Sequence, residues 1–148
     1  MQTKFYNCFK KHGPKNKNLT STPLESQEQI ALINWWSFYS QAKHIHEKCL
    51  FAIPNGGSRN AIEARNLKAE GVRAGIPDLM LALPCGAFHG LFIEMKRLKK
   101  GRLSADQKEM LEVFSKLGYK AAVCFGFENA KLIIEEYLNE YSEEGLKN

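Results

Sequence analysis

No apolar run in this chain approaches the ~20 residues of a membrane span. Its start lacks the apolar stretch of a signal peptide, and there is no internal repeat or low-complexity segment. Cysteine is scarce: Cys8, Cys49, Cys85 and Cys124 stand far apart, with no Cys-x-x-Cys pair. That spacing argues against a structural zinc site and against a dense disulfide scaffold. The four histidines, His12, His44, His46 and His89, make no metal-ligand spacing either. These absences predict a reduced protein of the cytoplasm with no membrane segment.

What is present is an ordinary globular composition. The 148 residues are 44% hydrophobic and 25% charged, enough for one domain with its own core and too apolar for wholesale disorder. The net charge of +5 is unevenly spread. Residues 1–24 carry +5 with no acid, residues 54–120 carry +5, and residues 121–148 carry −4. A basic arm and a basic middle favour phosphate-bearing partners such as nucleic acid. Residues 1–20, which hold His12-Gly13-Pro14 and a polar run with no period, are expected to form a basic N-terminal arm. Residues 21–148 are expected to form the folded domain.

Local signals place the elements. Thr22, Pro23 and Glu25 predict a capped helix start, with the helix running to about Ala42. Leu24, Ile30, Leu32, Ile33, Trp36 and Phe38 would supply its apolar surface. Cys49–Ile53 reads as a short strand stopped by Pro54-Asn55-Gly56-Gly57. A second helix is expected from about Asn60 to Glu70, with Gly71 ending it. A hairpin follows, Asp78–Leu83 and Gly90–Lys96, turning around Gly86. Ser104 and Gln107 cap a third helix that Gly118 ends. A strand over Tyr119–Phe125 and a helix from Phe127 to about Tyr141 complete the order α-β-α-β-β-α-β-α. Ala130, Leu132, Ile133, Tyr137 and Leu138 are expected to face inward there. The fold class is α/β, a central mixed sheet flanked by helices.

The chemistry concentrates in that hairpin. Side chains alternate along a strand, so Glu94 and Lys96 share one face while Ile93 and Met95 take the other. A turn centred on residue 86 brings Asp78 opposite Glu94. Two like charges so close are destabilising unless a cation separates them, and paired carboxylates suit a hard divalent ion such as Mg²⁺ or Mn²⁺. An ammonium beside such a site suits phosphoester hydrolysis, because it can orient or help deprotonate the attacking water and offset developing charge.

Pro77-Asp78 followed by Glu94-Met95-Lys96 resembles the PD-(D/E)XK nuclease signature. The wider text resembles its VRR-NUC branch, especially the small stand-alone proteins of phages and prophages. The matching pieces are Glu25-x-x-x-Gln29, Ile53–Gly57, Gly71–Asp78, Gly90–Lys96, Ser104-x-x-Gln107-Lys108 and Gly118-Tyr119. They span roughly residues 22–141. The Val-Arg-Arg that names the branch reads Val72-Arg73-Ala74 here. The resemblance implies that Asp78, Glu94 and the Met95 carbonyl hold the metal and that Lys96 serves the attacking water. It also implies a helix-one glutamate in the site, for which Glu25 fits the spacing and Glu28 lies one turn on. Gln107 resembles a further polar site residue.

Five bases among residues 96–102 predict a phosphate grip beside the site, from Arg97, Lys99, Lys100 and Arg102. Arg59 at the start of the second helix adds to it, and Arg73 is expected to meet DNA as well. The expected function is metal-dependent hydrolysis of DNA. By resemblance the protein would be a homodimer acting on branched substrates such as four-way junctions. The alternative is a non-catalytic DNA-binding module on the same fold, which has no need of the carboxylate pair.

Overall fold

The computed structural model describes residues 22–54, 61–99 and 101–139. Four strands form one sheet: β1 (Leu50–Ala52), β2 (Leu79–Leu81), β3 (Leu91–Lys96) and β4 (Lys120–Phe125), in that spatial order. Four helices surround it: α1 (Glu25–Ala42), α2 (Ala61–Ala69), α3 (Ala105–Lys116) and α4 (Phe127–Leu138). The predicted element order and the mixed sheet are both found. A 3₁₀ turn over Glu47–Cys49 is added before β1.

Strands β1, β2 and β3 pair antiparallel, while β4 joins β3 in parallel. A parallel pair needs a crossover, and α3 provides it. Leu79 pairs with Ile93 and Leu81 with Leu91. Extending that register by one residue sets Asp78 opposite Glu94, as the turn around Gly86 predicts.

The odd-numbered residues Leu91, Ile93 and Met95 join Leu79 and Leu81 in the main core. Leu32 and Trp36 of α1 and Ile133, Ile134 and Tyr137 of α4 close that core from one side. On the other side Phe92 stacks on Phe114 of α3 with ring centroids 3.9 Å apart. Strand β3 is therefore covered on both faces, and all six of its residues are buried. Glu94 and Lys96 lie on the α3 side and go inside with the rest.

Several local expectations are corrected. Helix α1 begins at Glu25, with Leu24 as its N-cap rather than Thr22. Leucine has no side-chain acceptor, so the start is held by Gln27 Oε1, which accepts from the Leu24 N–H at 2.8 Å. Glu25 is thereby released from any capping role. Ile30 and Phe38 of α1 and Leu132 of α4 are exposed, 61%, 76% and 50% respectively, while Ile134 takes the inward place. The capping box at Ser104 forms as expected: Gln107 N–H donates to Ser104 Oγ at 3.2 Å and Gln107 Oε1 accepts from Ser104 N–H at 2.9 Å.

Candidate active site

Six sequence-predicted residues meet at the ends of β2 and β3. Asp78 Oδ2 accepts from the Met95 N–H at 2.8 Å. Glu94 Oε1 accepts from Lys96 Nζ at 2.5 Å and from Gln107 Nε2 at 2.5 Å. Glu25 Oε1 lies 3.5 Å from Lys96 Nζ, within ion-pair range. The helix-one candidates thus separate. Glu25 reaches the cluster, whereas Glu28 Oε2 accepts from the Phe127 N–H at 2.7 Å and caps the start of α4. A carboxylate there meets the unpaired amides of a helix N-terminus. Gln107 serves twice: its amide oxygen caps α3 and its amide nitrogen holds Glu94.

The backbone explains why the hairpin opens here. The Gly90 and Lys96 carbonyls accept from Lys120 and Gly126, so the even-numbered residues of β3 direct their main-chain groups to β4. The Met95 N–H and C=O therefore point the other way, toward β2. Their partner in register would be Pro77, which has no N–H to give. The Met95 carbonyl is left facing the site, and the Asp78 side chain takes the Met95 N–H. Proline before aspartate converts a ladder position into an acceptor site beside a carboxylate.

Burial sets the electrostatics. Glu94 is 1% exposed, and burial first, then the Asp78 and Glu25 charges, push its pKa up to about 7 against the pull of Lys96. Burial also raises Asp78, partly offset by the Met95 N–H and by Lys96. Burial works against the Lys96 ammonium, but its bond to Glu94 and the Glu25 and Asp78 charges outweigh it and hold its pKa above the ordinary lysine value.

Glu94 Oε2 is buried and accepts no hydrogen bond. A carboxylate oxygen left in that state is costly unless a cation meets it or the group takes up a proton, which the neighbouring Asp78 carboxyl can share. Among the described residues no group of three or more His, Cys, Asp or Glu is gathered as a ready ligand cluster. Asp78 and Glu94 make two, and Glu25 is turned to Lys96. With the Met95 carbonyl as a further oxygen, the donor set is all hard, which fits Mg²⁺ or Mn²⁺ rather than a soft metal.

The basic residues are distributed differently from the expected grip. Arg97 donates to the carbonyls of Thr22 and Pro23, each at 3.4 Å, and so ties the chain entering α1 to the end of β3. Arg73 donates to the Lys68 carbonyl at 2.9 Å and the Val72 carbonyl at 3.2 Å, closing the end of α2. Lys99 and Arg102 are exposed on the loop after β3. Arg59 and Lys100 lie outside the described residues.

A model of the VRR-NUC domain matches residues 10–128. The chain belongs to the VRR-NUC family. A solved structure described as a VRR_NUC domain protein is similar to it, with a TM-score of 0.66 and 29% sequence identity. That likeness covers 81% of this chain and 92% of the other. A search of curated proteins finds no match. VRR-NUC is a nuclease family, so DNA processing is the function class and DNA the partner. Among the described residues, no helix of this VRR-NUC domain is long and apolar enough to cross a membrane.

One glycine of the VRR-NUC motif has a plain physical reason. Gly75 has φ +81°, and a Cβ there would stand 2.6 Å from the Asp106 backbone oxygen. Asp106 is in the first turn of α3, next to Gln107. Gly75→Ala is therefore expected to cost more than the ~1 kcal/mol of an unfavourable φ alone. A melting temperature lowered by at least about 2–4 °C is the measurement; an unchanged melt would mean that this approach is not tight.

Proposed function

We propose that the protein is a divalent-metal-dependent DNA endonuclease that prefers branched DNA and works as a homodimer of the stand-alone phage or prophage type, in the cytoplasm of the host cell. The observation that carries the catalytic part is the buried, unbonded Glu94 Oε2 beside Asp78, with a charged Lys96 on the other oxygen. A bound Mg²⁺ or Mn²⁺ supplies Lewis acidity toward a phosphoryl oxygen and toward water. Asp78, Glu94 and the Met95 carbonyl would hold it, with Glu25 swinging in from Lys96 as a further ligand.

The protein's own groups do the rest. Gln107 fixes one oxygen of Glu94, so that the other is presented in a set direction. Lys96 would orient or help deprotonate the attacking water and offset negative charge on the scissile phosphate. Phosphates are gripped by Lys99, Lys100 and Arg102, with Arg59 and Arg73 as further DNA-binding residues. Arg97 serves the protein's own backbone first.

Incubation with labelled linear, flapped and four-way DNA, in Mg²⁺, Mn²⁺ or EDTA, tests this reading. Cutting that needs the metal and favours four-way or flapped DNA is expected. Binding without cutting in every condition would favour a DNA-binding module instead.

The phosphate grip has its own test. Every phosphate that a removed base no longer neutralises should reduce the slope of log K against log salt by roughly 0.9 on duplex DNA. Changing Lys99, Lys100 and Arg102 together to alanine should therefore flatten the slope by up to about 2.7. A slope that does not move would place the DNA-binding surface elsewhere.

A further inference from the structure

The solvent face of α1 has an unusual composition. Ser26, Ile30, Asn34 and Phe38 recur every four residues along it and are all exposed. From Gln29 to Ala42 the chain carries no charged residue, although a quarter of the whole sequence is charged. A helix face meant for water is normally charged or polar. A face depleted of charge that keeps an aromatic side chain has the composition of an interface core. It also has no base with which to meet DNA.

Shape adds a second observation. Ser26, Gln29, Ile30, Ile33 and Asn34 line a hollow of about 270 Å³ on this face. Their spacing is that of the hole into which a side chain from a facing helix inserts. One turn past the hollow stands Phe38, 76% exposed, a projecting ring with nothing over it in the described fold.

Position adds a third. Ile30 and Phe38 lie four residues either side of Asn34. Two copies of α1 laid antiparallel about a two-fold axis at Asn34 would set Phe38 of one protomer against Ile30 of the partner subunit, and the reverse. Gln27 would face Gln41 of the partner subunit. Each ring then fills the other's hollow, which is the self-complementarity that a two-fold interface requires. Copies of net charge +5 repel in most orientations, and an uncharged face removes that penalty.

We propose that α1 is the dimer interface, pairing antiparallel with α1 of a second copy through reciprocal insertion of Phe38 beside Ile30 of the partner subunit. This deepens the homodimer of the proposed function and rests on that reading. Glu25 lies nine residues before Asn34. The two Glu25 residues would therefore stand about 27 Å apart along the paired axes, at 1.5 Å per residue.

Sedimentation and light scattering of the full chain, without metal or DNA, test the pairing independently of any cutting. The wild type should be a dimer, and Phe38→Glu and Ile30→Glu should each be monomers. Both residues are exposed in the protomer, so circular dichroism should show a folded chain in each variant. In a Cys8→Ser background, mild oxidation should link Asn34→Cys to its own copy, while Ser26→Cys should not self-link. A monomeric wild type, a dimeric Phe38→Glu, or self-linking at Ser26→Cys instead of Asn34→Cys would each overturn the proposal. If the dimer behaves as expected but no DNA is cut, the interface stands and the catalytic reading falls.

Discussion

Lys96→Ala is expected to lower the cleavage rate at least a hundredfold while changing DNA affinity less than tenfold. The affinity part follows from position. Lys96 is 6% exposed and bonded to Glu94, so it contributes little to a phosphate grip made by outer loops. The rate part follows from chemistry: positioned proton-handling and charge-offsetting groups commonly supply about 10²–10⁴. Removing one partner of a buried ion pair also leaves the other uncompensated, at a cost of about 3–5 kcal/mol. Alanine could therefore lose activity by unfolding. Lys96→Met keeps the aliphatic stem and the volume, and should lose cutting just as fully while circular dichroism shows a folded chain. A methionine variant that cuts at the wild-type rate would remove Lys96 from the mechanism.

The second large effect is stabilisation by the metal. A divalent ion that binds only the folded state adds about 2.7 kcal/mol at a hundredfold excess over Kd. For a chain of this size that corresponds to a rise of about 5–10 °C in melting temperature. Asp78→Asn should show much less of it. In EDTA the same variant should melt no lower than the wild type, because an amide oxygen still accepts the Met95 N–H and the repulsion with Glu94 is gone. Equal Mn²⁺ stabilisation of both proteins would mean that Asp78 is not a ligand.

The pH dependence has a definite sign. Glu94 titrates at about 7 in the folded, metal-free state against an ordinary value of 4.5. Between those values the folded chain holds a proton that the unfolded chain has released, so stability in EDTA should fall as pH rises from about 4.5 to about 7. Glu94→Gln should flatten that fall, and saturating Mn²⁺ should reverse it. A wild-type melting temperature that is constant across this window in EDTA would contradict the raised Glu94 pKa.

Strand pairing is legible in the sequence because a hairpin's register follows from where it turns: Gly86 puts Asp78 against Glu94 with no tertiary information. The covering of Glu94 and Lys96 is not legible. Their apolar neighbours mark one face of β3, but the burial of the other depends on α3 returning across it to start β4, which no local pattern encodes. The choice between Glu25 and Glu28 has the same origin. Both sit in the first turn of one helix, and only the arrival of α4 at Glu28 tells them apart. For Gln107 the capping reading and the site reading compete in the sequence, yet opposite ends of one amide satisfy both. The offset start of α1 is hidden because Thr22 and Pro23 form a better cap signal than Leu24, while Arg97, just past the end of β3, holds those two residues from far along the chain.

The bond from Phe127 to Glu28 has a mechanical consequence. It pins the first turn of α1 to the start of α4, and Gly126 is in turn bonded to the Lys96 carbonyl. The backbone beneath Glu25 is thereby anchored to the strand that carries Glu94 and Lys96. Glu25, whose side chain is 42% exposed, can still rotate. Exchange of Glu25 between Lys96 and a bound cation would then need only a side-chain swing, at the speed of a rotamer change, with the backbone beneath it anchored.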